Sequence, residues 1–432
     1  MSLLRFIVII AGIVLPWPVK AAASVDTSAN TNPYDFKVHG LADFRYLHAD
    51  GEQSWLNQGF GKFRYGGDNG NDLFRVDKAA LVMQARLNWA WTGTLTAKYS
   101  NRQSTPVDIS EALLLFRPVS TSAWRFNARL GAFMPPISME NSATAWSSPY
   151  TLTNSAINAW VGEELKTFGG EAQISYQFAS GDKVNLFGAG FGNNDTAGTL
   201  LAWRGWSMHD YVATLNDRLP LPTRANIFQV FRRQALQTQP FIEVDSRPGY
   251  YAGISLERPE LVKFRALYYD NRALTSAIDH GQYGWHTRFW SLGLKADLPW
   301  QTTLIVQDML GRTQMGRQLG SLFPVDTGFW AHSILLSKAL DSHRFSVRYD
   351  RFGTTQHNVL PQNNVIDPDY AGAAPIEQGY AWTVNYNVTP VEHHQLNVEV
   401  STIYSDRKAR LFLDEPTQKR ETLWQLSYRL LF

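Results

Sequence analysis

The chain contains no cysteine. Disulfide staples, Cys-ligated zinc, iron–sulfur clusters and a thiol nucleophile are therefore excluded. It also lacks any apolar run of about 20 residues, which a bundle of membrane helices needs several times over. Charge is sparse: Asp, Glu, Lys and Arg make up 18% of the residues, against roughly 25% in a typical soluble domain. It is also balanced, with 40 Lys+Arg against 38 Asp+Glu and a formal net charge of +2. That balance excludes a strongly basic nucleic-acid partner surface and an acidic disordered tail. What the 432 residues do have is aromatic mass, with 15 Trp, 18 Tyr and 24 Phe.

The first 23 residues read as a secretory signal. Arg5 gives the positive start, Phe6 to Trp17 is apolar but only about a dozen residues long, and Ala21-Ala22-Ala23 fits a small-residue cleavage site. Pro16 and Pro18 stop a helix before it could anchor in a bilayer. Residues 24–35 are polar and read as a short periplasmic segment.

From residue 36 onward the dominant period is two. Leu81, Met83, Ala85, Leu87 and Trp89 alternate with Val82, Gln84, Arg86 and Asn88. Trp382, Val384, Tyr386 and Val388 alternate with Thr383, Asn385 and Asn387. The pattern predicts strands over 36–47, 73–90, 93–101, 109–117, 124–133, 168–178, 183–192, 249–257, 262–271, 286–298, 301–311, 328–338, 343–353, 379–388, 395–405 and 421–432. Connections alternate between tight turns and longer loops, with 102–108 short among the latter. Strands with one apolar and one polar face suit a soluble sandwich or a membrane barrel. The charged inward positions, the aromatics beside tight turns (Trp89, Trp91, Trp124, Phe178, Trp300) and the loop parity favour the barrel. The expected fold is all-β: a transmembrane antiparallel β-barrel over 36–432 of sixteen strands, or eighteen if 193–248 hides a further pair. Phe432 ends an amphipathic last strand, the pattern by which outer-membrane barrels address their assembly machinery. The expected location is the bacterial outer membrane, among its lipids.

A sixteen-stranded barrel leaves a water-filled lumen. The segment 134–167 is expected to fold into it, carrying Glu140, Glu163 and Glu164, with Lys166 its only base. Arg86, Lys98, Arg125 and Arg129 fall on inward positions of nearby strands. Carboxylates facing such a wall would set a transverse field at a constriction and select ions by sign. Lys263, Arg265, Lys295, Arg344 and Arg348 add basic inward positions, opposed by Glu111, Asp297, Asp350 and Glu399. The expectation is a passive channel for small hydrophilic solutes with weak anion preference, needing no cofactor and no metal. The segment 193–248, with Trp203, Trp206, Arg218, Arg224 and Arg232-Arg233, is expected to be an extracellular loop, the alternative being a cover over the mouth.

The stretch Arg129-Leu130-Gly131-Ala132-Phe133-Met134-Pro135-Pro136-Ile137-Ser138-Met139-Glu140 resembles the phosphate-selective porin family, in which such a strand end leads into the inward loop. Val347-Arg348-Tyr349-Asp350-Arg351-Phe352 resembles a late strand of the same porins. The resemblance implies an outer-membrane, trimeric, sixteen-stranded channel for anions. The inward loop here departs from that family in lacking a run of Lys and Arg and in being net acidic. Two other readings stand beside the porin. One is an outer-membrane barrel enzyme of lipase or protease type, using His332, His343 or His357 with a nearby Ser, although no G-x-S-x-G or H-E-x-x-H motif occurs. The other is a non-conducting structural or adhesin-like barrel.

Overall fold

The computed structural model describes residues 35–67, 72–100, 104–222, 231–318, 320, 322–357 and 376–432. The expected signal segment 1–23 and residues 24–34 lie outside the described residues, and Asp35 opens the first strand. Sixteen strands form one closed antiparallel barrel. In chain order they are β1 (Asp35–Asp50), β2 (Asp72–Arg86), β3 (Trp91–Tyr99), β4 (Val107–Phe116), β5 (Trp124–Phe133), β6 (Thr167–Gln177), β7 (Lys183–Gly192) and β8 (Gly249–Arg258). They continue as β9 (Val262–Asp270), β10 (His286–Leu298), β11 (Thr302–Met315), β12 (Val325–Leu340), β13 (His343–Gln356), β14 (Glu377–Val391), β15 (His394–Arg407) and β16 (Gln418–Leu431). Each strand pairs with the next, and β16 pairs with β1 from Leu41↔Leu431 to Asp50↔Thr422, so the sheet has no free edge. The segment 193–248 adds no strand to the wall, which removes the eighteen-strand alternative; its ribbon, 219–220 with 237–238, pairs only with itself.

Alternation explains why these residues are strands, and burial shows which way they face. On β14, Tyr380, Trp382 and Val384 are 45%, 51% and 53% exposed, while Ala381, Thr383 and Asn385 between them are buried. The apolar face is thus outside and the polar face inside, the reverse of a soluble sandwich. Such a belt is stable where lipid covers it. Tight connections such as 87–90, 259–261 and 341–342 alternate with longer ones at the other end, including 51–71, 134–166 and 193–248, with 100–106 short among these. In barrels of this class the tight turns face the periplasm. Trp124 and Trp300, 59% and 84% exposed, stand beside those turns. Trp124 packs edge-on against Tyr176 at 4.9 Å and Tyr176 against Phe178 at 4.8 Å, forming part of an aromatic rim.

Strand ends differ from the periodicity in two instructive ways. β2 stops at Arg86 because Asn88 Oδ1 accepts from Ala90 N at 2.9 Å and Trp91 N at 3.0 Å, turning the chain early. β13 runs on to Gln356 through Gly353-Thr354-Thr355, residues with no apolar alternation. Their backbone pairs with β12 above the apolar belt, where neither face needs to be greasy. At the seam, Phe432 exchanges backbone hydrogen bonds with Gly40 at 2.7 and 3.1 Å. Its ring lies where a Cβ on Gly40 would sit, 2.0 Å from that position, so only glycine leaves room.

Candidate pore: two inward segments and a basic recess

The first inward segment follows β5, near whose end Gly131 has a φ of +136° and a Cβ would lie 2.2 Å from Ala112 O, so the position requires glycine. It then crosses the lumen to the far wall. Met139 N donates to Gln307 Oε1 at 3.0 Å, and Asn385 Nδ2 donates to Tyr150 O at 2.9 Å. Leu152 N and Thr153 N donate to the Glu399 carboxylate at 2.5 and 2.9 Å. Arg348, wholly buried, donates to Thr151 Oγ1 and Asn154 O, both at 2.9 Å, and pairs with Asp350 at 2.8 Å. A coil with no ladder partner must satisfy its polar backbone somehow, and here inward side chains of β11 to β15 do so. The segment returns as α1 (Ala156–Glu164), capped by Ser155 Oγ, which accepts from Asn158 N at 3.2 Å. Trp160 of α1 packs on Phe289 and Phe329 at 5.4 and 5.3 Å.

Part of the segment 193–248, expected as an extracellular loop, also packs inside the barrel. Residues 194–214 are buried throughout and include the short α2 (Thr199–Trp203). Trp206 Nε1 donates to Gly353 O at 3.1 Å. Trp203, Leu200, Tyr211 and Leu221 join Trp55, Phe60, Trp285, Met315 and Val325 in one apolar cluster at the end carrying the long connections. Of the residues singled out there in the sequence, Trp203 and Trp206 are core, whereas Arg224 lies outside the described residues.

The candidate constriction residues do not meet as the sequence suggested. Glu140 accepts from Ser155 N and Asn158 Nδ2, both at 2.8 Å, and lies 3.7 Å from Arg348. Glu163 binds Arg204 and His209 of the second segment. Burial pushes the His209 pKa down despite Glu163, so the ring is neutral. Its Nδ1 accepts from Tyr211 N at 3.1 Å, leaving Nε2–H to donate to Glu163 at 2.8 Å. Glu164 accepts from Leu200 N at 2.8 Å and Gly198 N at 3.1 Å; burial, reinforced by Glu163, lifts its pKa to about 7. Arg129 is bound to Glu171 at 2.9 Å. Lys98 is buried on β3, and Arg86 is exposed near the tight turn of β2. Three carboxylates in a crowded interior take the nearest buried donors, since an unsatisfied buried charge is costly. The expected field between Glu140, Glu163 and Glu164 and the wall of Arg86, Lys98, Arg125 and Arg129 is therefore not what the chain assembles.

Arg125 instead belongs to a recess of about 610 Å³ along β5 to β9 at the tight-turn half of the lumen. Five basic residues line it, Arg117, Arg125, Lys183, Lys263 and Arg265, against Glu171 and Glu257. Strand alternation places Lys263 and Arg265 inward, but nothing local says that β5 to β9 keep a recess while inward residues of β11 to β15 bind the first segment.

The enzyme candidates fare differently. His332 pairs with Asp308 on the outer, lipid-side face; its cross-strand neighbours are Asp308 and Arg351, and its outward neighbours along β12 are Trp330 and Ile334. None of these is a hydroxyl nucleophile. His343 Nδ1 is hydrogen-bonded to Tyr386 OH at 2.7 Å. Among the described residues, the carboxylates of Asp195, Glu243 and Asp245 approach within 4.8 Å of one another. Backbone donors already serve all three: Val244 N on Asp195, Asn193 N on Glu243 and Arg247 N on Asp245.

No protein-family model matches the chain. No curated protein matches it either. Solved structures do. The outer-membrane channel DcaP of Acinetobacter baumannii superposes with a TM-score of 0.53 at 13% identity, over 95% of this chain and 100% of that one. The trimer form of OmpT, an outer-membrane protein of Vibrio cholerae, gives 0.51 at 7% identity, over 93% and 100%. With its closed sixteen-stranded wall and outward apolar belt, the chain has the fold of bacterial outer-membrane porin-type barrels.

Proposed function

We propose that the protein is a passive channel of the bacterial outer membrane for small hydrophilic solutes, with weak preference for anions. The observation that carries this reading is the recess along β5 to β9, where five cations face two carboxylates inside a closed barrel. A basic excess between low-dielectric walls raises local anion concentration. A homotrimer is part of the proposal, by analogy with the trimer form of the Vibrio cholerae protein. Phosphate selectivity is not part of it, because the inward segment contributes no basic residue to the recess.

The test is reversal potential across a planar bilayer under a salt gradient. Wild-type protein is expected to reverse on the anion side. The triple variant Arg125→Glu, Lys263→Glu, Arg265→Glu is expected to move toward cation preference. An unchanged reversal potential in the variant would overturn the assignment. A second reading, the non-conducting barrel, is favoured by the apolar cluster at the long-connection end. Folded barrels that never conduct would support it instead.

A further inference from the structure

His332 and Arg351 have no part in the lumen. They stand opposite each other across β12 and β13 on the outward face, while their chain neighbours Ala331, Ser333, Asp350 and Phe352 are buried. Toward the tight turn the same face is apolar, with Ile334 and Leu336 on β12 and Val347 on β13. Charge on a lipid-facing wall costs most at the midplane and least near the interface. His332 lies nine positions before Asp341 and Arg351 nine after Ser342, the two residues of that turn. At about 3.3 Å per residue and a tilt of about 40°, both sit roughly 20 Å above the turn, in a belt about 25 Å tall. That places them just inside the belt's outer edge, on the side of the long connections. Aromatic pairs mark the same edge: Tyr268 packs on Trp290 at 5.0 Å, and Tyr380, opposite Arg351 in register, on Tyr404 at 5.4 Å.

Trp330 completes the arrangement. Its indole lies on the bare backbone of Gly353, where a Cβ would come within 2.7 Å of the ring. The Arg351 guanidinium stands over that ring at 5.9 Å, and the His332 imidazole lies 5.1 Å from it. His332 Nδ1 is taken by Asp308, so Nε2 has no partner among the described residues. Arg351 has neither an ion pair nor a hydrogen bond among the described residues, only the face of Trp330. Other outward cations on these strands are answered: Arg312 by Asp326, His286 by Asp270 at 3.0 Å, and Lys338 by the Trp300 ring at 5.8 Å. Arg288 stands opposite Asp270. Arg351 thus offers an uncompensated charge at the height where headgroups meet acyl chains. A guanidinium presents paired donors that match phosphate geometry. In a lipid, the phosphate sits above chains of the kind that Ile334, Leu336 and Val347 accept.

We propose that Arg351 and His332, flanking Trp330, bind the phosphate of an anionic lipid in the outer leaflet, whose chains lie along Ile334, Leu336 and Val347. The site is on the outside of the wall, so it stands or falls independently of conduction. The test uses the folded full chain in phosphatidylcholine vesicles, with brominated lipids quenching the tryptophans they touch. The Trp330 share of the fluorescence is the difference between wild type and Trp330→Phe. Brominated phosphatidic acid should quench that share at about one tenth of the mole fraction that brominated phosphatidylcholine needs. Arg351→Gln, checked for heat-resistant folded migration, should abolish the preference. Arg351→Lys, which keeps the charge and loses the paired donors, should retain part of it. His332→Gln should weaken it about threefold. Equal quenching by the two lipids in wild type would overturn the proposal, as would an unchanged preference in folded Arg351→Gln. Loss of the preference in millimolar inorganic phosphate at matched ionic strength would assign the site to the free ion and overturn the lipid. An altered oligomeric state in Arg351→Gln with the preference intact would assign this face to a second copy of the chain, with the same consequence.

Discussion

Arg348 concentrates the cost of bringing a coil into the lumen. It is fully buried, pairs with Asp350 and holds three residues of the first inward segment, Thr151, Thr153 and Asn154. Removing one partner of a buried pair leaves the other uncompensated, at about 3–5 kcal/mol. Arg348→Met should lower the unfolding free energy in urea by about that amount, and adding Asp350→Asn should recover part of it rather than add to the loss. Glu164 gives a pH dependence. Its carboxyl titrates at about 7 in the folded chain against 4.5 when free. The folded value is the higher one, so its contribution is full below pH 4.5 and is lost as pH rises through 7. The span corresponds to about 3 kcal/mol at most. Amides of Gly198 and Leu200, which donate to Glu164, should therefore be better protected at pH 5 than at pH 8 after correction for intrinsic exchange. Glu164→Gln should flatten the difference, and a pH-independent wild type would contradict the account.

Among the elements, the β4–β5 pair is the shortest join in the wall, running only from Ala112↔Ala132 to Phe116↔Ala128. Gly131 sits in it, shortly before β5 ends at Phe133 and the inward segment begins. Gly131→Ala combines a positive φ with a clash against Ala112 O, and should cost more than about 1 kcal/mol, read as a lower urea midpoint with β4 amides exchanging first. Legibility divides along the same line between wall and filling. Strands were readable because lipid on one side and water or polar contacts on the other impose period two on every residue, as on β14. The inward direction of Arg348, Asp350 and Glu399 came with it. The second segment was not readable, because no period governs residues 194–214; their burial depends on partners as distant as Lys62, Gly162, Gly353 and Glu377. For the same reason Glu163 could not be matched in advance to Arg204 and His209.

At the scale of the whole molecule, the barrel is inside out relative to a soluble sandwich and closed on itself, and its filling is lopsided. The wall from β11 to β15 is bound by the first segment, the long-connection end holds an apolar cluster, and β5 to β9 keep a basic recess. On the proposed reading, the barrel is a passive channel whose weak anion preference comes from that recess. Lysines and arginines on the recess wall should set that preference. Exchanging Lys263 alone for Glu should produce a smaller shift of reversal potential than the triple change, in the same direction. The most direct measurement is single-channel recording of the folded full chain in a planar bilayer under a salt gradient. Discrete openings that reverse on the anion side are expected. Verified insertions that stay silent, or openings that reverse on the cation side, would contradict the channel reading.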